Sequence, residues 1–127
     1  MAKLKLTFER AGEVVVELND KNPKTRDAFL DAVPFESKAN RWGDEVYFST
    51  PVRVGLEVAQ ETVEVGDVAY WPPGRAMCLF FGPTPVSKPG EIRPASPVNV
   101  FGRVVSGLEV LRRVEDGERV RVELLEE

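Results

Sequence analysis

Hydrophobic and polar residues alternate at the start of the chain, in two runs that a turn separates. Leu4, Leu6 and Phe8 alternate with charged or polar residues, and a second apolar run at residues 14–18 follows a turn near Gly12. A period of two predicts strands with one buried face, and a short turn between two such runs predicts a β-hairpin. We therefore expect the chain to open as antiparallel sheet.

Two other segments show helical spacing. Asn22 stands where a helix N-cap is favoured, Pro23 occupies the first helical position, and the residues that follow predict about three turns ending near residue 33. Ser106 and Glu109 have the spacing of a capping box before a second helix, which Gly117 can end.

Strand patterns fill most of the remaining chain and are separated by proline and glycine clusters. Five segments carry them: residues 45–49, 52–58, 67–71, 77–81 and 98–105. After the second helix, residues 120–124 alternate again and predict a last strand that pairs with the first. Eight strands at such short intervals, with two helices, favour a barrel or a sandwich.

Composition and charge narrow the class of protein. The chain has 127 residues, of which 43% are hydrophobic and 30% are charged, so we expect a single domain over residues 1–127. Its net charge is −4 and its basic residues alternate with acidic ones, which argues against nucleic-acid binding. No signal-peptide pattern occurs and no apolar run approaches the roughly 20 residues of a membrane span, so we expect a cytoplasmic protein without membrane contact.

Single residues add smaller expectations. Cys78 is the one cysteine and lies in an apolar run, which predicts a buried small hydrophobe rather than a reactive thiol. Gln60 is the one glutamine, a bias that resembles proteins of thermophiles. Zinc spacings, phosphate loops and nucleophile elbows do not occur, so we predict neither a metal nor a cofactor.

Three segments resemble parts of the cyclophilins, which are peptidyl-prolyl isomerases. Residues 22–29, Asn-Pro-Lys-Thr-Arg-Asp-Ala-Phe, are similar to that family's first helix. Residues 79–81, Leu-Phe-Phe, resemble its Gln-Phe-Phe strand, and residues 101–104, Phe-Gly-Arg-Val, resemble its Phe-Gly-Lys-Val strand. With the order of the elements, this resemblance implies a mainly β fold, a closed eight-stranded antiparallel cyclophilin-like barrel with two capping helices.

The chain departs from true isomerases where their chemistry lies. It has no histidine, the family's Phe-His-Arg-Val and Gln-Gly-Gly strings do not occur, and Leu79 replaces the strand glutamine. Residues 66–85 instead resemble the central signature of small stand-alone prokaryotic cyclophilin-like proteins, a group of unknown function distinct from prolyl isomerases. This resemblance implies a binding domain without efficient isomerase activity.

Two proline-braced loops, at residues 71–75 and 91–97, are the candidate binding segments of this scaffold. Rigid loops on a barrel commonly carry binding groups, with aromatic side chains as a floor and arginines for a ligand carboxylate or carbonyl. The predicted ligand-binding groove comprises Arg41, Tyr47, Trp71, Arg75, Phe81, Glu91, Arg93 and Ser96. The alternative is that the aromatic residues only pack and that the arginines are solvated or paired with Glu91.

Asp44 and Glu45 follow Trp42 and form a second, weaker candidate. Paired acids can perform acid–base chemistry, but a charged turn before a strand is the commoner interpretation of this pattern.

Three functions remain open at this point. The leading hypothesis is a domain that binds a small molecule or an extended peptide. The second is a peptidyl-prolyl isomerase with a rebuilt site, in which Arg41 or Arg75 supplies the cation that lowers the barrier of the amide. The third, implied by resemblance to domains of bacterial oxoprolinase and allophanate hydrolase systems, is an accessory subunit with a protein partner.

Overall fold

The computed structural model describes residues 2–127, and they form a mainly β structure. Among these residues there are nine strands: β1 (Lys3–Phe8), β2 (Gly12–Leu18), β3 (Phe35–Lys38), β4 (Asn40–Arg41), β5 (Glu45–Ser49), β6 (Asp67–Trp71), β7 (Ala76–Phe80), β8 (Asn99–Ser106) and β9 (Arg119–Glu126). One α-helix, α1, spans Pro23–Ala32, and two 3₁₀ helices span Pro72–Gly74 and Leu108–Arg113. Within the described residues, no helix is long and apolar enough to cross a membrane.

The strands form one antiparallel, nearly closed barrel in the order β3-β9-β1-β2-β8-β6-β7-β5-β4. β3 pairs with β9 and β4 pairs with β5, so the segment that contains both short strands joins the two ends of the sheet. Where β3 approaches β5, the hydroxyl oxygens of Ser37 and Ser49 are 3.3 Å apart. The predicted antiparallel barrel with two helices is confirmed, with nine strands instead of eight.

The barrel interior is filled by alternate apolar residues of the longer strands, as the alternation predicts. Leu4, Leu6 and Phe8 are buried in this core. Helix α1 adds Phe29, whose ring stacks on that of Phe101 with centroids 4.3 Å apart. The stacking of these two rings therefore stabilises the contact between the helix and β8, beyond the contribution of the apolar area that the helix buries.

The segment at residues 52–58 is irregular, so the strand predicted there is wrong. Its backbone groups form hydrogen bonds with side chains and not with a neighbouring strand. The Tyr70 hydroxyl donates to the Val52 carbonyl at 2.6 Å, and the Asn99 amide donates to the Gly55 carbonyl at 3.0 Å. Apolar alternation alone does not distinguish such a loop from a strand.

Helix α1 begins at Pro23 as predicted, but Asn22 does not cap it. The Asn22 amide instead accepts from the Val58 backbone N–H at 2.6 Å. Glu57, from the irregular loop, accepts from two N–H groups in the first turn of the helix at 3.1 Å each. The helix N-terminus is therefore capped by a residue that is distant in sequence.

The second predicted helix is the 3₁₀ helix Leu108–Arg113, which ends before Gly117. The predicted capping box is wrong, because Ser106 is the last residue of β8 and Gly107 occupies the N-cap with φ 86° and no side-chain bond. A Cβ atom at Gly107 would lie 2.4 Å from the Glu13 carbonyl oxygen. Both the backbone angle and this close approach require glycine there.

Candidate ligand-binding pocket

A second apolar layer lies on the outer face of the barrel. Strands β6 and β7 are buried on both faces, because alternate residues face the barrel core and the others face this outer layer. The buried members of the outer layer are Val63, Ala69, Ala76, Cys78, Phe80, Ile92, Val98 and Val100. Two loops cover it, held together where Gln60 pairs with Val98 and Val63 pairs with Ile92. The outer layer is therefore a small second core between the sheet and its loops.

A pocket of about 180 Å³ lies beside this outer layer. It is lined by Trp42, Glu45, Tyr47, Trp71 and Ala95. Glu45 and Tyr47 are two residues apart on β5 and so share a face, while Trp71 ends β6. Trp42 and Glu45 exchange backbone hydrogen bonds at 3.0 and 3.2 Å, which close the turn before β5. Three aromatic side chains and one carboxyl thus meet around a single small space.

The Trp71 indole is fixed from two sides. Its Nε1–H donates to the Ser96 hydroxyl at 2.6 Å, from the loop that covers the outer layer. Its six-membered ring packs over Gly74, where a Cβ atom would lie 2.6 Å from Cζ3. A ring that is already ordered loses little conformational entropy when a ligand binds.

The Glu45 carboxyl is buried without a strong hydrogen-bond donor. Glu45 is 5% exposed, and burial raises the pKa of its carboxyl to about 7, although a hydrogen bond with Cys78 acts in the opposite direction. Among residues 2–127, no group of three or more Asp, Glu or Cys side chains could hold a metal ion. Glu45 is therefore an isolated acid that exists in both charge states near neutral pH.

Cys78 lies beside Glu45 and is itself buried, as predicted. Burial, followed by the charge of Glu45, raises the pKa of the Cys78 thiol well above its usual value. The Sγ atom also lies 3.9 Å from the Ala76 carbonyl oxygen. The thiol stays protonated and has a single weak donor, which the Ala76 carbonyl and the Glu45 carboxyl share.

Three residues of the predicted groove come together at this pocket. Tyr47 and Trp71 line it, and Ser96 holds Trp71 in place. Trp71 also packs against the outer layer. It is thus both a packing residue and a pocket residue.

Phe81 and Arg41, two residues of the predicted groove, lie outside the lining of this pocket. Phe81 is 3% exposed and belongs to the barrel core. The Arg41 guanidinium lies 5.0 Å from the Phe81 ring centroid and donates to the carbonyls of Gly43, Arg112 and Val114 at 3.1 to 3.3 Å. Arg41 therefore ties the turn before β5 to the end of the second 3₁₀ helix.

The other three predicted residues also lie outside the pocket lining. Arg75 is exposed and has a left-handed backbone with φ 48°, and its carbonyl accepts from Thr50. Arg93 pairs with Glu91 at 2.7 Å between Nε and Oε2. This hydrogen-bonded pair lowers the pKa of the Glu91 carboxyl. For Arg93 the structure therefore shows the alternative interpretation, in which Glu91 pairs with an arginine.

Three pocket residues, Trp42, Glu45 and Ala95, are not among those predicted for the groove. The sequence contains part of the signal, since Glu45 and Tyr47 alternate with the core residues Val46 and Phe48. Alternation identifies their common face but not what covers it. The covering loop is distant in sequence, so the burial of Glu45 cannot be read from β5 alone.

Comparisons with known proteins agree with this fold. The family model described as cyclophilin-like matches residues 2–123. The solution structure of a hypothetical protein from Archaeoglobus fulgidus is similar, with 53% sequence identity, coverage of 96% of this chain and 93% of that chain, and a TM-score of 0.83. No curated protein matches the chain. The predicted resemblance is confirmed, and the chain belongs to the cyclophilin-like family.

Proposed function

We propose that this cyclophilin-like domain binds a small molecule in the pocket formed by Trp42, Glu45, Tyr47 and Trp71. The observation that carries the proposal is the combination of aromatic walls with an indole that is fixed in advance by Ser96. Ligand sites are typically concave and largely apolar, with a few polar groups that orient the ligand. The pocket has this character, with one buried carboxyl among apolar walls.

The size of the pocket favours a small ligand, or one protruding group of a larger one, over an extended peptide. Its volume of about 180 Å³ is close to that of a cavity of about 150 Å³ that holds one benzene molecule in another protein. An extended peptide is bound along an edge or groove with successive side-chain pockets. A single compact pocket therefore supports the small-molecule form of the hypothesis.

The same geometry gives less support to a rebuilt prolyl isomerase. The Arg41 guanidinium is bonded to backbone carbonyls, and Arg75 is exposed in the turn between β6 and β7. The polar group in the pocket is the acid Glu45 instead of a cation. We therefore propose a binding domain without efficient isomerase activity, which a proline-peptide assay free of contaminating isomerase would check.

Tryptophan fluorescence provides a direct test of binding. Both tryptophans of the chain, Trp42 and Trp71, line the pocket, so their emission reports on its occupancy. We would titrate a panel of oxoproline, small carboxylates, small amines and short proline peptides, and measure thermal unfolding in parallel. One class should change the emission saturably and raise the Tm, because a ligand that binds only the folded state stabilises it.

Variants connect such a response to the pocket. Trp71→Ala should abolish binding while the protein remains folded, because Trp71 packs in the outer layer rather than the barrel core. Ser96→Ala removes only the hydroxyl that fixes the indole and should weaken binding about two- to tenfold. Ser106→Ala, at an exposed site at the end of β8, is the matched control. The proposal fails if no compound gives a saturable response, or if Trp71→Ala binds as the wild type does.

A further inference from the structure

We propose that the ligand group held in this pocket is an alkylammonium cation, bound between the aromatic side chains and the Glu45 carboxylate. This inference rests on the proposed function and extends it by assigning the charge and chemical class of the ligand. Three features of the pocket carry it: the aromatic walls, the buried acid without a cationic partner, and a lining without lysine or arginine.

The aromatic walls suit a cation. The face of an aromatic ring carries partial negative charge, and tryptophan attracts cations most strongly, followed by tyrosine and phenylalanine. The pocket places Trp42, Tyr47 and Trp71 around one space. Recognition of ammonium groups by such rings needs no hydrogen-bond donor on the protein, and the walls present few polar groups.

The buried acid completes the complementarity. Buried charges in proteins are normally paired, because removing an unpaired charge from water is costly. Even two half-buried acids have partners: Glu91 pairs with Arg93, and Glu57 accepts from two backbone N–H groups. Glu45, at 5% exposed, has the Cys78 thiol alone. A ligand cation would supply the missing partner, whereas an anionic ligand would meet a like charge.

Protons and the cation compete for the same carboxyl. The groups that face Glu45 are Cys78 from β7, Tyr47 from its own strand, and the uncharged side chains of Trp42, Trp71 and Ala95. Because the pKa of Glu45 is raised to about 7 while that of the Cys78 thiol lies well above its usual value, the carboxyl changes charge near neutral pH and the thiol keeps its proton. Binding should therefore strengthen as Glu45 ionises.

Choline and its neutral tert-butyl analogue, dimethylbutanol, form a matched pair of probes. They have nearly the same shape and differ in charge, so a fluorescence titration at about pH 8 isolates the contribution of the cation. We expect choline to bind at least about tenfold more tightly than the alcohol, a difference of about 1.4 kcal/mol. From about pH 8 to about pH 6, the ionised fraction of Glu45 falls about tenfold, and the affinity for choline should fall with it.

Two variants identify the carboxyl responsible. Glu45→Gln should lose about tenfold in choline affinity and lose the dependence on pH, while its affinity for dimethylbutanol should stay within about twofold of the wild type. Glu109→Gln, at an exposed acid in the second 3₁₀ helix, should match the wild type throughout.

The outcomes separate this inference from the proposed function. If the alcohol binds as tightly as choline and neither depends on pH, the ammonium assignment is overturned while the pocket remains a ligand site. If choline does not bind at about pH 8, the assignment is overturned as well, and the panel screen alone decides the proposed function.

Discussion

Two buried glutamates show how differently this protein uses one kind of side chain. Glu45 and Glu118 are 5% and 6% exposed, yet the pKa of the first is raised and that of the second is lowered. At Glu118 burial opposes ionisation, but N–H groups of Ala11, Glu115 and Arg10 bond the carboxylate at 2.6 to 3.1 Å and outweigh it. Glu45 has no such donors. The donors around a carboxyl, rather than its burial, decide its charge.

Glu118 is thus a structural acid, whereas Glu45 is available to bind a ligand. Glu118 binds the turn between β1 and β2 to the loop before β9, and both of its oxygens are used. Glu45 lines a pocket, and its one side-chain partner is a thiol. An acid whose donors come from its own chain stabilises the fold, whereas one without them can accept a ligand.

The largest effect is expected for Glu118→Gln. The amide retains one acceptor oxygen and replaces the other with a donor that faces backbone N–H groups, so buried donors lose their partner. We expect the free energy of unfolding to fall by up to about 3 kcal/mol at neutral pH, measured by urea denaturation. Glu115→Gln is the matched control, because it removes only an exposed ion pair with Arg10 and should cost less than about 1 kcal/mol.

The pH dependence of the same variant sharpens the test. Because the folded-state pKa of Glu118 is lowered, its contribution to stability is present above the unfolded pKa of 4.5 and is lost as the pH falls through the folded pKa. The gap between wild type and Glu118→Gln should therefore narrow in acid. A variant as stable as the wild type at neutral pH would contradict the structural role.

The opposite pH dependence is expected at Glu45. Its pKa is about 7 in the folded state and 4.5 as the reference value. Between these values the folded state holds a proton that the unfolded state has lost, so stability falls as the pH rises. Relative to Glu45→Gln, the wild type should lose about 3 kcal/mol between about pH 4 and pH 8, measured by urea denaturation at each pH. A constant difference between the two proteins would show that Glu45 is solvated in the folded state.

The smallest effect is expected at the Trp71 support, where Gly74→Ala tests whether the pocket can change without the barrel core. The added Cβ would lie 2.6 Å from the Trp71 ring, so the indole must move. We expect a shift in tryptophan emission and a loss of about 1 kcal/mol. Gly55→Ala has no atom within 4 Å of the added Cβ and should leave emission and stability nearly unchanged. An unchanged emission in Gly74→Ala would mean that Trp71 is not held as described.

Periodicity predicts those parts of the fold in which neighbouring strands supply the backbone hydrogen bonds. The strands at Asp67–Trp71 and Glu45–Ser49 have their predicted bounds, and the last strand pairs with the first. The strand predicted at residues 52–58 does not form, because distant polar side chains such as Tyr70 bond its backbone. β3 and β4 carry little apolar alternation and owe their pairing to the closure of the barrel.

The candidate site is predictable to a smaller extent. Composition and proline-braced loops point to Trp71 and Ser96, whose partnership the structure shows. Phe81 belongs to the same predicted set, but it lies in the barrel core with Met77 and Leu79. The burial of Glu45 depends on a covering loop, and no local sequence pattern predicts the position of that loop.

The position of β9 in the sheet has a consequence for how the domain is made. β9 lies between β3 and β1, and its pairing with β1 joins residues at opposite ends of the sequence, such as Lys3 and Glu126. While a ribosome is still synthesising the chain, β1 and β3 must therefore wait with unpaired edges that can recruit other strands. The barrel can close only once β9 has been made and is free to pair, so the last strand of the sheet order to be synthesised is the one that covers both edges.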